Sequence, residues 1–206
     1  YDASHTPEWL YEQHREWNKI HAPSTINRQP STVNRQPEES KLRVGYVSPD
    51  FRKHSCAYII EPLFQHHDRT RFEIFCYADV QRTDEMTERL RKHSDHWYNS
   101  LGKSHDTVSE QIRRDRIDIL VDLAGHTANN RLPVFARKPA PIQVTWLGYP
   151  DTTGLDTMDY RFTDAIADPE GIADRYASET LIRLPNGFHC YSPLYKPPVI
   201  AELPFK

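Results

Sequence analysis

Hydrophobic positions are arranged in two regimes along the chain. From residue 42 onward, short apolar runs alternate with stretches that are apolar on one side only. LRVGYVS (42–48), FEIFCYA (72–78) and IDILVDLAG (117–125) are bounded runs of mostly apolar residues, the signature of strands buried on both faces. IQVTWLG (142–148), DYRFTD (159–164) and TLIRLP (180–185) read as three further strands. Between them, AYIIEPLFQHH (57–67) reads as a helix with Pro62 inside it or at a kink, and 83–93 as a helix with Met86 and Leu90 against a solvated outer face. Residues 104–115 read as a helix capped by Ser104, with Val108 and Ile112 on one side, and 131–137 as a short helix. Strands alternating with helices imply right-handed crossovers and an α/β domain whose mostly parallel sheet is covered on both faces. Ligands in such sheets collect beyond the carboxyl ends of the strands. The loops to watch are therefore 49–55, 79–83, 125–130 and 148–155.

The first 40 residues differ. Residues 6–21 read as one helix, capped by Thr6 and started by Pro7 at the position where a missing N–H costs nothing. Trp9, Leu10, Trp17 and Ile20 give it a broad apolar side that would dock on the domain. In 22–40 the segment STINRQP (24–30) is followed by its near-duplicate STVNRQP (31–37). Two polar copies are too few to build a repeat fold, so the segment reads as a flexible linker or exposed loop. The organisation expected is a connector helix over 1–21, a linker over 22–40, the sheet domain over 41–195, and the start of an inter-domain segment at 196–206.

Charge and composition narrow the function classes. Lys and Arg number 26 against 29 Asp and Glu, a balance that argues against a dedicated nucleic-acid binder. No stretch approaches the roughly 18 apolar residues of a membrane span, and no signal-peptide pattern opens the chain, although Tyr1 need not be the native start. Cys56, Cys76 and Cys190 are too few and too scattered for a disulfide framework, so the reducing cytoplasm is the default compartment. At 206 residues there is room for one α/β domain and an appendage.

Two of the strand-end loops pair a carboxylate with a histidine. The loop after the first strand carries Asp50 and His54, and the one after the third carries Asp122 and His126. A histidine held by a carboxylate can act as a general base. Equally, Asp50 could cap the next helix and Asp122 could satisfy backbone N–H groups in a turn. The loop Gly148-Tyr149-Pro150-Asp151-Thr152-Thr153-Gly154 offers hydroxyls and free N–H groups that could grip a backbone or a phosphate, or simply make a turn. No G-x-G-x-x-G follows the first strand and no phosphate-binding G-x-x-x-x-G-K-[ST] occurs, which disfavours a self-contained dinucleotide or NTP enzyme. No G-x-S-x-G elbow is present. His93 with His96, the pair His66–His67 and the cysteines lack the spacing of a structural zinc site, so no metal is expected.

The segments LRVGYVSPDFRKHS, FEIFCYA, DILVDLAGHTANNRLPVFARKPAPIQVTWLGYPDTTG, MDYRFTD and LPNGFHCYSP, in this order over roughly 41–195, resemble the catalytic region of the O-linked N-acetylglucosamine transferase family. The SPINDLY-type enzymes belong to the same family, and the bacterial members look most similar. The resemblance implies a GT-B arrangement, two Rossmann-like domains across a cleft, of which this chain matches the amino-terminal one. Its end near LPFK falls about where the family crosses into the second domain. It implies an inverting, metal-independent transfer of sugar to Ser or Thr of proteins. The donor, UDP-N-acetylglucosamine, would be bound mainly by the carboxyl-terminal domain, with no other cofactor. Tetratricopeptide repeats would lie upstream, protein acceptors would be the partners, and neither nucleic acid nor membrane is implied. His54 matches the histidine proposed as catalytic base, and Asp122 and His126 match the strand-end motif lining the same cleft. Asp50, Thr127, Tyr149, Pro150 and Thr152 fall in segments facing donor and acceptor. Two alternatives stay open: the same fold using GDP-fucose, and a non-catalytic protein-binding module. A flavodoxin-like regulatory domain is weaker, since no flavin loop or acidic cluster is evident.

Overall fold

A computed structural model describes residues 4–22 and 41–193. The duplicated STxNRQP segment and residues 196–206 lie outside these. The described elements run α1 (Pro7–His21), β1 (Leu42–Ser48), α2 (Ser55–His66), β2 (Phe72–Ala78), α3 (Glu85–Lys92), β3 (His96–Asn99), α4 (His105–Arg114), β4 (Ile119–Asp122), α5 (Leu132–Phe135), β5 (Ile142–Thr145), β6 (Tyr160–Thr163), a 3-10 turn at Ala173–Tyr176, and β7 (Thr180–Arg183). The strands form one seven-stranded sheet in the order β3-β2-β1-β4-β5-β6-β7, with every neighbouring pair parallel.

Side-chain alternation along the strands builds two cores. Val44, Tyr46, Ile74, Cys76 and Val121 pack on one face with Ile60 and Phe64 of α2 and Met86 and Leu90 of α3. Val47, Phe75, Tyr77 and Leu120 pack on the other with Val108 and Ile112 of α4, Val134 and Phe135 of α5, and Trp17 of α1. This is the three-layer α/β arrangement that the apolar runs predict.

The expected strands β1 and β2 match to the residue. Strand β4 is shorter than its apolar run, because Asp122 draws the following backbone into a turn. Strand β5 likewise ends at Thr145, before Leu147 at φ 81°. Strand β3 has no apolar run at all. It is an edge strand held by pairing with β2, by His96 on Glu73 at 2.8 Å, and by the His96 ring stacked on Phe75. Helix α1 begins as expected, with the Thr6 hydroxyl accepting from the Trp9 N–H, but it does not dock through a broad apolar side. Trp9 and Ile20 are 40% and 68% exposed, while the polar His14 and Asn18 are buried. The surface it meets is a loop of carbonyls and a carboxylate, which rewards hydrogen bonds more than apolar area.

Candidate functional site at the switch point

From β1 the chain winds outward through β2 and β3, and from β4 it winds the other way to β7. The neighbours β1 and β4 are therefore the topological switch point, where the loops beyond the strand ends diverge and leave a crevice. The loops at 49–54 and 123–131 flank it.

The β1 loop is built mostly from short-range bonds, with one tie to α3. Ser48 Oγ accepts from the Asp50 N–H at 3.0 Å, and Arg52 Nη2 donates to Asp50 Oδ1 at 3.0 Å. The Lys53 N–H donates to Asp84, the cap of α3, at 2.7 Å. His54 itself caps α2: its Nδ1 accepts the Cys56 N–H at 3.3 Å. Asp50 Oδ2 lies 3.7 Å from that same Nδ1. The His54 side chain is 35% exposed and that of Asp50 11%, so the imidazole stands at the rim with a carboxylate behind it. While Nδ1 accepts from an amide, the neutral ring carries its proton on Nε2. Asp50 Oδ, His54 Nδ1 and Cys56 Sγ also lie within 4.8 Å of one another, the one group of metal-ligand type among the described residues. Burial pushes the Cys56 thiol up to about 11, which opposes thiolate ligation near neutral pH.

The β4 loop is organised from inside. Asp122 is fully buried and accepts from Ala124 N (3.1 Å), Gly125 N (2.8 Å) and Thr145 Oγ1 (2.8 Å). Desolvation dominates these bonds and raises its carboxyl to about 6. Its side chain lies on the face covered by α4 and α5, by alternation with Leu120. His54 stands at the start of α2, which covers the opposite face. Asp122 spends its bonds on the turn rather than on His126. The His126 Nε2 instead lies 2.8 Å from the carbonyl of Thr153. Burial, reinforced by the neighbouring His14, lowers the His126 pKa against the raising effect of that carbonyl. Thr127 Oγ1 closes the turn on the Ala124 carbonyl at 2.9 Å. Gly125 has φ 56°, and a Cβ there would lie 2.2 Å from Cβ of Tyr149. The two loops thus meet where no side chain fits.

In the β5 loop, the Tyr149 hydroxyl is 2.9 Å from His14 Nε2, and burial pushes that hydroxyl's pKa up. Pro150 is exposed, and its carbonyl accepts from Arg161 at 3.4 Å. The threonine hydroxyls turn inward. Thr152 Oγ1 donates to Glu179 at 2.7 Å and lies 3.0 Å from Ser178 Oγ. Thr153 gives its N–H (2.7 Å) and its hydroxyl to the same carboxylate. Both threonines are fully buried. The structure therefore brings His54 and Asp50 together, and separately His126, Tyr149 and the Thr152–Thr153 turn, with Asp122 beneath the second group.

Three organising residues had no local signal in the sequence. Glu179 reaches its threonines across 26 and 27 residues. His14 reaches Tyr149 across 135. Arg131 forks onto Asp79 at 2.9 and 3.0 Å, joining the end of β2 to the β4 loop. Only Asp79, lying in a strand-end loop, was in an expected place.

Set against known proteins, residues 17–192 match the family described as glycosyl transferase family 41. A tomato (Solanum lycopersicum) protein named "Probable UDP-N-acetylglucosamine--peptide N-acetylglucosaminyltransferase SPINDLY" is 45% identical over 192 residues, which are 91% of this chain and 20% of that protein. The "UDP-N-acetylglucosamine--peptide N-acetylglucosaminyltransferase" of Caenorhabditis elegans is 39% identical over 150 residues, 72% of this chain and 13% of that protein. A solved structure, a mutant O-GlcNAc transferase of Thermobaculum terrenum, superposes with a TM-score of 0.86 at 38% identity over 97% of this chain and 37% of its own. The chain thus spans about a fifth of the length of its first plant relative.

Proposed function

The chain belongs to glycosyl transferase family 41, and we propose that it forms the acceptor-side half of an inverting protein O-glycosyltransferase, one that moves N-acetylglucosamine from UDP-N-acetylglucosamine to Ser or Thr hydroxyls. The observation that carries this reading is the partly exposed imidazole of His54 at the β1–β4 switch point, with Asp50 3.7 Å behind it. In the reaction, the acceptor hydroxyl attacks the anomeric carbon, the bond to UDP breaks, and the hydroxyl proton must leave. His54 can take it once Nδ1 turns from the Cys56 amide to the Asp50 carboxylate. That shift moves the ring proton to Nδ1 and frees Nε2 as the acceptor. Asp122 acts beneath the site, holding the turn at 124–125 rather than touching the reacting atoms.

The names of the relatives favour UDP-N-acetylglucosamine over GDP-fucose as donor. A carboxyl-terminal catalytic domain holding most of the donor, tetratricopeptide repeats upstream and a cytoplasmic setting complete the proposal. Its support is the resemblance together with three cysteines outside any disulfide. No described helix is long and apolar enough to cross a membrane.

The test uses the complete enzyme with an acceptor protein and each nucleotide sugar in turn. The expected product mass is that of one added N-acetylhexosamine, and a deoxyhexose would overturn the donor assignment. His54→Ala should lower turnover by about 10²–10⁴-fold, the usual worth of a positioned base. Turnover close to wild type would remove His54 from the chemistry.

A further inference from the structure

We infer that α1 is a polar latch on the β4 and β5 loops and that His14 is its positioning residue, acting on the site through Tyr149 and His126. The observations converge on one side of α1. His14 Nε2 meets the Tyr149 hydroxyl at 2.9 Å, and its ring lies 4.8 Å from that of His126. Trp17, one residue short of a further turn along, sets its ring edge-on to His126 at 5.0 Å. The Tyr149 ring is edge-on to both histidines, 5.5 Å from His126 and 5.6 Å from His14. The His126 imidazole is thereby enclosed by rings from α1 and from the β5 loop, while its Nε2 is tied to Thr153.

Two further side chains of α1 fasten the same loop and its C-terminal flank, while Glu8 accepts from Tyr176 of the 3-10 turn. Arg15 donates to the Gly154 carbonyl at 2.9 Å and to Asp156 at 2.6 Å, and Asn18 donates to Asp156 at 2.9 Å. The fit is close. Gly154 has φ 72°, and a Cβ there would stand 2.4 Å from backbone atoms of His14. This glycine is required both by its own conformation and by the helix lying on it. The latch is also poised rather than saturated: among the described residues, His14 Nδ1 and Asn18 Oδ1 are buried without hydrogen-bond partners, a cost that hydrophobic docking would not carry. An interface of specific polar bonds over little apolar area holds one register firmly and gives way as a unit when that register is lost.

The consequence for turnover rests on the proposed function; the latch itself does not. Hydrogen exchange on the whole chain separates them. His14→Ala should speed amide exchange in 124–130 and 148–155 by about five- to tenfold, as expected when one buried hydrogen bond and its packing are lost, with β1 and β2 unchanged. His14→Gln, whose amide can reach the Tyr149 hydroxyl, should restore most of the protection. Tyr149→Phe removes the hydroxyl alone and should reproduce the local change even if the alanine variant folds poorly. Unchanged exchange in both loops would overturn the latch. In the complete enzyme, His14→Ala should raise KM for the acceptor more than it lowers kcat. A loop response without any kinetic response would leave the latch standing and count against the placement of the site.

Discussion

The β1 loop and the paired β4–β5 loops lie on the two sides of one crevice, yet they are built on opposite principles. In the β1 loop Asp50, Arg52 and His54 interact with residues two and four positions away, only Lys53 reaches across to α3, and His54 remains a third exposed. In the β4–β5 pair the carboxylates of Asp122 and Glu179 are buried, and their partners lie up to 27 residues away. The first arrangement leaves a side chain free to change partner. The second fixes backbone. A reactive group belongs where reorganisation is cheap, and a binding wall where it is expensive, so the two sides divide the work.

Substitutions probe that division most strongly at Asp122. Asp122→Ala strands two backbone N–H groups and the Thr145 hydroxyl in the interior, and should cost about 3–5 kcal/mol in a denaturant titration. A cost below about 1 kcal/mol would place water, not the carboxylate, at the centre of the turn. The same residue gives a pH signature. Its folded pKa is about 6 against a usual 3.8, so the folded chain holds a proton that the unfolded chain has released between these values. The stability it contributes is full below 3.8 and lost as pH rises through 6. The stability difference between wild type and Asp122→Asn should shift against wild type across that window.

His126 titrates with the opposite sign. Its folded pKa lies below the usual 6.5, so stability is unaffected above 6.5 and lost as pH falls below it. The charges facing it are His14 from α1, Asp151 from the β5 loop and Glu179. His126→Gln should remove this acid sensitivity, read as the pH dependence of the denaturation midpoint below 6.5.

On the other side of the crevice, His54→Ala removes only a helix cap and should cost about 0.5–2 kcal/mol, well below Asp122→Ala. Equal costs would dissolve the comparison. The smallest expected effect is chemical. The exposed Cys190 should be alkylated first, while burial raises the thiols of Cys56 and Cys76 and slows both.

The contrast also explains what the sequence could show. LRVGYVS and FEIFCYA are legible because strands buried on both faces must be apolar throughout, and both match the structure residue for residue. His54 and Asp50 are legible because their partners are neighbours in the chain. The β4–β5 wall is only half legible. The glycines and threonines of Gly148–Gly154 announce a tight loop, but nothing in them reveals that Glu179 and His14 hold it. The apolar side of α1 misled, since amphipathicity measures available area and not which side meets a polar partner. Strand β3 was invisible because an edge strand of four residues draws its stability from its neighbour's ladder.

Glu179 has a consequence for how the protein is made. A ribosome delivers residues in order, at about 5–20 per second, so the threonine turn emerges before the carboxylate that anchors it, with β6 between them. Nascent polypeptide halted after β6 would have its sheet begun and its crevice wall still open, so this wall waits on a residue made after six of the seven strands.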